Sequence, residues 1–397
     1  MGLLILAGGQ GTRLGYNHAK GMYNIEMPSN RSIFELLCKR FLRSQIRGLL
    51  NPYFIACEEL KKPPITNSHI YIMTSPINDL ETKAFFKDKQ YFGIPEDKLH
   101  FVTQGTLPAI DTNGGILMEG KAKLALTPNG NGGIFICLLE SDSTLFHEMQ
   151  KSGIEYLHII GIDNVLNKVL DPLQVGLSIH KKISCVIKVL PKKHYKECIG
   201  IFANIDKKGY ELVEYSEISE DMAKQTNEKG ELLFNHGKCL VLSIGNILNF
   251  FVSLPALLSI FKAHGHNLTN FFHIASKKIP YYSEGKLIKP NECNGYKFEL
   301  FISGFIPYLE EDIIFLQIKR EEEFAPVKNE KGSAEDSPDT ARAMISSLHR
   351  SWLTKVGAVL EGDGLCEIDE SLSYEGENLA SFKGKVIKAP VYLKNQA

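Results

Sequence analysis

The stretch from Leu6 to Gly21, LAGGQGTRLGYNHAKG, constrains this chain more than any other. Apolar residues Leu3 to Ala7 read as a short buried strand, and Gly8, Gly9 and Gly11 follow at once. A strand that ends in a glycine-rich turn lets backbone N–H groups approach a ligand without interference from Cβ atoms. Arg13 and Lys20 bring two cations to the same loop. Together these are the chemistry of a site for an anion carrying several phosphates. Two familiar phosphate motifs are excluded. The Gly-Lys-Ser/Thr ending of a Walker A loop is absent, and the dinucleotide fingerprint needs a glycine where this chain has Leu14.

The 397 residues are enough for one large domain and a small second one. A net charge of −1 gives no long-range attraction to nucleic acid or to an acidic membrane, so phosphate affinity must come from a local cluster of cations. No basic patch interleaved with aromatics supports a nucleic-acid role. The eight cysteines form no CxxC pair and no signal peptide precedes them, which predicts reduced, buried thiols in a cytoplasmic protein. Cys239 to Phe261 carries no charge and is long enough to span a bilayer. Asn246, Asn249 and Pro255 inside it argue instead for a buried strand, a polar turn and a helix of a soluble core.

Further along, strand and helix signals alternate. Ser32 and Glu35 form a capping box before the apolar stripe Ile33, Leu37 and Phe41, which Asn51-Pro52 ends. His69 to Thr74 reads as a strand, Ser75 to Asp79 as a turn into a helix reaching about Tyr91, and Leu99 to Thr103 as the next strand. This alternation predicts an open α/β sheet with ligands at the carboxyl ends of its strands. Gln104 follows the third strand; its carboxamide could read a base edge or simply be a solvated loop residue. Pro128 to Gly133, PNGNGG, is a second glycine-rich turn. Glu155 to Ile162 reads as a strand ending in Asp163, placed either to hold Mg²⁺ against phosphates or to cap the next helix. Asp171-Pro172 is structural.

Ser184 to Leu190, Cys198 to Ile205 and Tyr210 to Tyr215 read as strands, with a hairpin turn at Asp206 to Gly209. Asn249 sits in an apolar run and needs a partner, since an unpaired buried amide costs about 1–3 kcal/mol. The charges of Arg320 to Glu323 read as a solvated face leading to Lys328. Lys328 to Asp339 has the composition of a mobile loop, Thr340 to Trp352 that of a helix, and Leu365 to Val391 that of strands and turns. The histidines show no HExxH or paired metal spacing, which speaks against zinc chemistry.

LAGGQGTRLG followed by KGMY resembles the eukaryotic UDP-N-acetylglucosamine pyrophosphorylases. The resemblance recurs in order at MTSPIND, QGTLPA, PNGNGG, GIDNVLNKVLDP, VEYSEIS, LLFN, GNILNFF, KKIPY, REEEFAPVKN and DSPDTAR, covering nearly the whole chain. It implies a Rossmann-like nucleotidyltransferase domain over residues 1–330, with a central mixed, mostly parallel sheet, and a small C-terminal β-containing domain over residues 331–397. The implied reaction makes UDP-N-acetylglucosamine and pyrophosphate from UTP and N-acetylglucosamine-1-phosphate. Arg13 and Lys20 would be catalytic. Leu6, Ala7, Gly8, Gly9, Gly11, Thr12, Gln104 and Gly130 would bind the nucleotide, and Asn131, Gly200, Glu217 and Asn249 the sugar. Lys328 would reach the phosphates, and Asp163 would bind Mg²⁺, with Mn²⁺ an alternative. A cytoplasmic monomer or weak homo-oligomer is expected. Three departures stand out. Family members carry a sizeable segment before LAGG, proline where this chain has Ala19, and a Phe-x-Phe run where it has Phe301-Ile302-Ser303.

Overall fold

The computed structural model describes residues 1–47, 67–139, 144–204, 209–215, 217–224, 233–236, 239–242, 244–264, 272–310 and 312–395. The expected helix end at Asn51-Pro52 and most of the Asp206 to Gly209 turn lie outside them.

The strand predicted at the N-terminus is β1 (Gly2–Leu6). Its near-continuous apolar run suits a strand covered on both faces. Leu3 and Ile5 point into one core, and Leu4 and Leu6 into the core on the opposite side of the sheet. The elements needed below are α1 (Ile33–Arg47), β2 (His69–Thr74), α2 (Asp79–Asp88), β3 (Leu99–Thr103) and β4 (Tyr156–Gly161). They continue with α3 (Pro172–Lys181), β5 (Cys185–Pro191), β6 (Ile201–Asn204), β7 (Tyr210–Val213), β8 (Ile244–Ser253) and α4 (Leu254–His264). After these come β9 (Phe272–Lys277), β10 (Gly295–Leu300), β11 (Ile313–Gln317), α5 (Arg320–Glu323) and α6 (Pro338–Lys355).

The central sheet has nine strands in the order β7-β6-β8-β4-β1-β2-β3, with β5 also on β8 and β11 on β5. β1 pairs in parallel with β2 and β4, β2 with β3, and β5 with β11. β8 runs antiparallel to β4, β5 and β6, and β7 antiparallel to β6. Two strands therefore oppose the direction of the other seven, which is the mixed, mostly parallel sheet expected. β9 and β10 pair in a separate small sheet that stands beside its carboxyl edge.

Several local expectations change on folding. Ser32 Oγ accepts from the Glu35 amide at 3.2 Å, but the Glu35 carboxylate pairs with Arg31 at 3.2 Å. The uncharged stretch after Cys239 becomes β8 and then α4. No helix among the described residues is long and apolar enough to cross a membrane. Of the thiols described, Cys38, Cys185 and Cys366 are buried, whereas Cys198 and Cys293 are exposed. Ala341, Ile345 and Leu353 of α6 share the core of Leu3, Ile5 and Phe34, so packing continues across the 330/331 boundary. Arg31 adds ion pairs across it to Asp369 at 2.5 Å and Glu370 at 2.8 Å.

Candidate active site

Beyond the carboxyl end of β1, the chain folds back on itself. Gly11 N donates to His18 O at 3.0 Å and Lys20 N to Gly9 O at 3.3 Å. Lys20 is thereby brought beside the glycines that precede it by eleven positions or more (20 − 9). The loop is pinned from α2. Asn78, fully buried just before that helix, donates to Ala7 O at 2.9 Å and Gly9 O at 3.3 Å. Glu81 accepts from the Ala19 amide at 2.6 Å and contacts His18 at 3.1 Å. A proline at position 19 has no N–H to donate to Glu81. Alanine at this position keeps the amide that ties the loop to Glu81.

The loop borders a cleft of about 530 Å³, within the range of small-molecule sites. Leu6, Gly8, Gly9, Thr12, Lys20, Gln104, Gly130, Asn131 and Asp163 all line it. They come from β1, the loop after β3, the second glycine turn and the end of β4, which are the carboxyl edge of the sheet. Gln104 is 5 % exposed and lies across Gly8, where a Cβ would stand 2.7 Å from its Nε2. Its Oε1 is buried with no hydrogen-bond partner among the described residues. Gly130 has φ +90°, and a Cβ there would meet the Leu300 carbonyl at 2.4 Å. Both turns thus need glycine to bring the chain close to its neighbours. Asn131 spends its Oδ1 on the Ile302 amide at 2.8 Å.

Charge is concentrated at one end of the cleft. Burial lowers the Lys20 pKa, with Lys328 and Arg13 adding to the effect and Asp163 opposing it. Burial disfavours charge on Asp163, yet Lys20 and Lys328 outweigh it and hold the carboxyl below its usual value. These mutual influences place Arg13, Lys20, Asp163 and Lys328 in one neighbourhood, although Arg13 and Lys328 sit outside the cleft lining. Arg13 is exposed, and Lys328 lies 3.7 Å from Asp336. Ala7 and Gly11 support the loop from behind, each buried.

The sugar-facing expectations need correction. Asn249 does not reach the cleft. It is 1 % exposed and pairs in register with Ile160 of β4. Its Oδ1 accepts from Gln174 at 3.0 Å and lies 3.0 Å from His158 Nε2, while its Nδ2 donates to Asn167 at 3.4 Å. Leu248, its neighbour on β8, lines the cleft, and consecutive strand residues face opposite sides. Glu217 is exposed, lies 3.1 Å from His273 and accepts from the Glu214 amide at 3.0 Å. Glu214 is the more enclosed acid. Burial raises its pKa, and it feels the charges of Glu217, His273, Lys328 and Glu299. Gly200 is buried, and its carbonyl accepts from Asn246 N at 2.8 Å.

Lys297, Glu299 and Phe301 line the opposite wall, where Lys297 and Glu299 pair at 2.6 Å and Phe301 stacks on His273 at 4.9 Å. Lys297 and Glu299 alternate on β10 and Phe301 continues the phase just past its end, a period-two signal present in the sequence. Asn78 was another, in the Ser-Pro-Ile-Asn-Asp turn. Ser303 is buried and lies off the lining.

The support beneath Lys328 also contradicts a surface expectation. Glu323 is not solvated: it is 7 % exposed, and its Oε2 lies 2.5 Å from the fully buried Lys188. Lys188 binds Asp171 at 2.5 Å as well, and Asp171 caps α3 before Pro172. The loop after Lys328 is closed and bonded: Lys328 N and Asn329 N both donate to Asp336 O, at 2.6 and 2.9 Å.

Comparison with known proteins agrees with this arrangement. Residues 1–345 match the UTP–glucose-1-phosphate uridylyltransferase family. A Saccharomyces cerevisiae UDP-N-acetylglucosamine pyrophosphorylase is 35 % identical, with 97 % of this chain and 76 % of that one covered. A Xenopus tropicalis UDP-N-acetylhexosamine pyrophosphorylase-like protein 1 is 35 % identical over 96 % of this chain and 73 % of its own length. A crystal structure from Entamoeba histolytica, assigned as a UDP-N-acetylglucosamine pyrophosphorylase, superposes with a TM-score of 0.82 at 31 % identity, covering 99 % of this chain and 92 % of that one. The chain belongs to the UTP–glucose-1-phosphate uridylyltransferase family, a class of nucleotidyltransferases. Within that class its relatives named here are the pyrophosphorylases of UDP-N-acetylhexosamines.

Proposed function

We propose that the protein joins UTP and N-acetylglucosamine-1-phosphate into UDP-N-acetylglucosamine, releasing pyrophosphate. The observation that carries this reading is the lining of one cleft by Lys20, Asp163, Gln104 and the two glycine turns. A phosphate oxygen of the sugar phosphate attacks the α-phosphorus of UTP, and pyrophosphate leaves in line. Both reactants are anions, so the protein's task is to position them and to neutralise charge. Lys20, preorganised by Gly9, Asn78 and Glu81, meets the UTP phosphates. Lys328 approaches from the other side and Arg13 from the rim. Gln104 reads the base with its unpaired Oε1, and Gly130 lets the turn come close to it. Lys297, Glu299, Phe301 and Glu214 form the wall offered to the sugar.

Asp163 fits a magnesium ion. It is a charged carboxylate at a strand end inside the cleft. The described residues hold no group of three or more His, Cys, Asp and Glu able to cage a metal. Magnesium sites of this kind complete their shell with phosphate oxygens and water. When bound there, the ion supplies positive charge to the phosphate oxygens.

The test is incubation with UTP, Mg²⁺ and a panel of sugar 1-phosphates carrying N-acetylglucosamine, N-acetylgalactosamine or glucose, with pyrophosphate as the readout. Release is expected to be fastest with N-acetylglucosamine-1-phosphate. UDP-sugar binding by calorimetry with no pyrophosphate from any member of the panel would replace the enzyme by a sensor.

A further inference from the structure

We propose that Asp336 is a positioning residue for the reaction, acting through Lys328; the proposal rests on the reading of Lys328 as a phosphate-binding cation. Asp336 contacts Lys328 in two ways. Its carbonyl accepts from the Lys328 amide at 2.6 Å and from the Asn329 amide at 2.9 Å. Its carboxylate lies 3.7 Å from Lys328 Nζ. The backbone there is unusual, with φ +51° at a residue that is not glycine. That conformation is strained for most side chains and is tolerated best by Gly, Asn and Asp. It is held in place on its far side by Ser337, which is fully buried and caps α6 through Thr340.

The carboxylate also lies within the electrostatic reach of the cleft residues Lys20 and Asp163. Asp336 feels the charge of Asp163 as well as that of Lys328, and Lys20 feels both acids. Lys20 and Asp163 on the cleft lining are thereby accompanied by a second cation and acid, Lys328 and Asp336, beside it. A separation of 3.7 Å is longer than a direct charge-assisted hydrogen bond. Lys328 is consequently aimed and kept near the cleft without being locked, and an arriving phosphate can take over its ammonium group. In this role Asp336 touches no substrate; it sets where Lys328 begins.

The backbone conformation makes the test clean. Asp336→Asn and Asp336→Gly both accept positive φ and both keep the carbonyl that closes the loop, but neither has the carboxylate. Both are expected to melt with the wild type and to lose about tenfold in kcat, with KM for UTP within about twofold, as expected for a misplaced catalytic group. In a Lys328→Ala background the same substitutions should change kcat by less than about twofold, because the two residues act as a unit. Wild-type kcat in Asp336→Asn and Asp336→Gly overturns the proposal while leaving Lys328 in place. An undiminished loss in the Lys328→Ala background overturns it as well, since Asp336 would then act by another route. Wild-type kcat in Lys328→Ala alone removes the phosphate role of Lys328, and the positioning role with it.

Discussion

The amide of Val327 donates to the carbonyl of Asp163 at 2.9 Å. The strand end that carries the cleft carboxylate and the segment that carries Lys328 are therefore one hydrogen-bonded unit. Asn164 strengthens it, donating to Glu323 O at 2.7 Å and accepting from Ala325 N at 2.9 Å. Residues more than 150 positions apart are thus held in fixed relative placement.

Lys20 is expected to carry the largest single share of activity. Its backbone is tied to Gly9, and its ammonium faces the cleft beside Asp163. Lys20→Ala should lower kcat by about 100-fold or more, the effect of losing one preorganised donor, with an unchanged melting temperature. Turnover near that of the wild type would remove Lys20 from the mechanism.

Gln104 offers a separate test of base recognition. Truncation to Ala removes a buried acceptor that has no protein partner among the described residues. KM for UTP should rise about tenfold, the worth of one hydrogen bond to an enclosed group, while KM for the sugar phosphate stays put. An equal rise in both constants would mean that the mutation disturbs the cleft and not the base.

The Lys188 network predicts a stability effect. Lys188→Met keeps the volume but strands Asp171 and Glu323, leaving Glu323 with Lys168 at 3.3 Å. Breaking a buried pair from one side costs about 3–5 kcal/mol. The urea midpoint should fall accordingly, and an unmoved midpoint would show that the buried charges find new partners.

Two buried histidines set the acid limit of stability. Burial lowers the pKa of His158 to about 4 and that of His349 to about 3. His158 Nδ1 accepts from Leu170 N at 2.8 Å, and His349 Nδ1 from Ile368 N at 3.0 Å, so neither has room for a second ring proton. The unfolded chain binds those protons at the ordinary histidine pKa, near 6.5. Their contribution is complete above about pH 6.5 and is lost as the pH falls toward 4 and then 3, at about 1.4 kcal/mol per pH unit for each histidine. Denaturation in urea at pH 7 and pH 5 checks the sign: the midpoint should drop at pH 5, and His158→Gln should reduce the drop.

Elements set by neighbouring residues were legible before the fold was known. The apolar run of β1, the strands at His69 and Leu99, the glycine turns and the capped α6 all follow from local periodicity and turn chemistry. Lys20 was legible from its glycine turn, whereas position alone left Gln104 open between base reader and solvated loop residue, Asp163 open between metal ligand and helix cap, and Gly130 simply part of a second glycine turn. Which way a side chain faces is a different matter. Asn249 turned inward because β8 pairs with β4 in a register that gives the cleft to Leu248. Glu323 was buried because Lys188, 135 positions away, waited beneath it. Lys297, Glu299 and Asp336 became neighbours of the site through pairings between distant segments. Local sequence determines which elements form and where they end. Strand register and long-range charge pairing, which exist only once the sheet is assembled, decided which residues share the cleft.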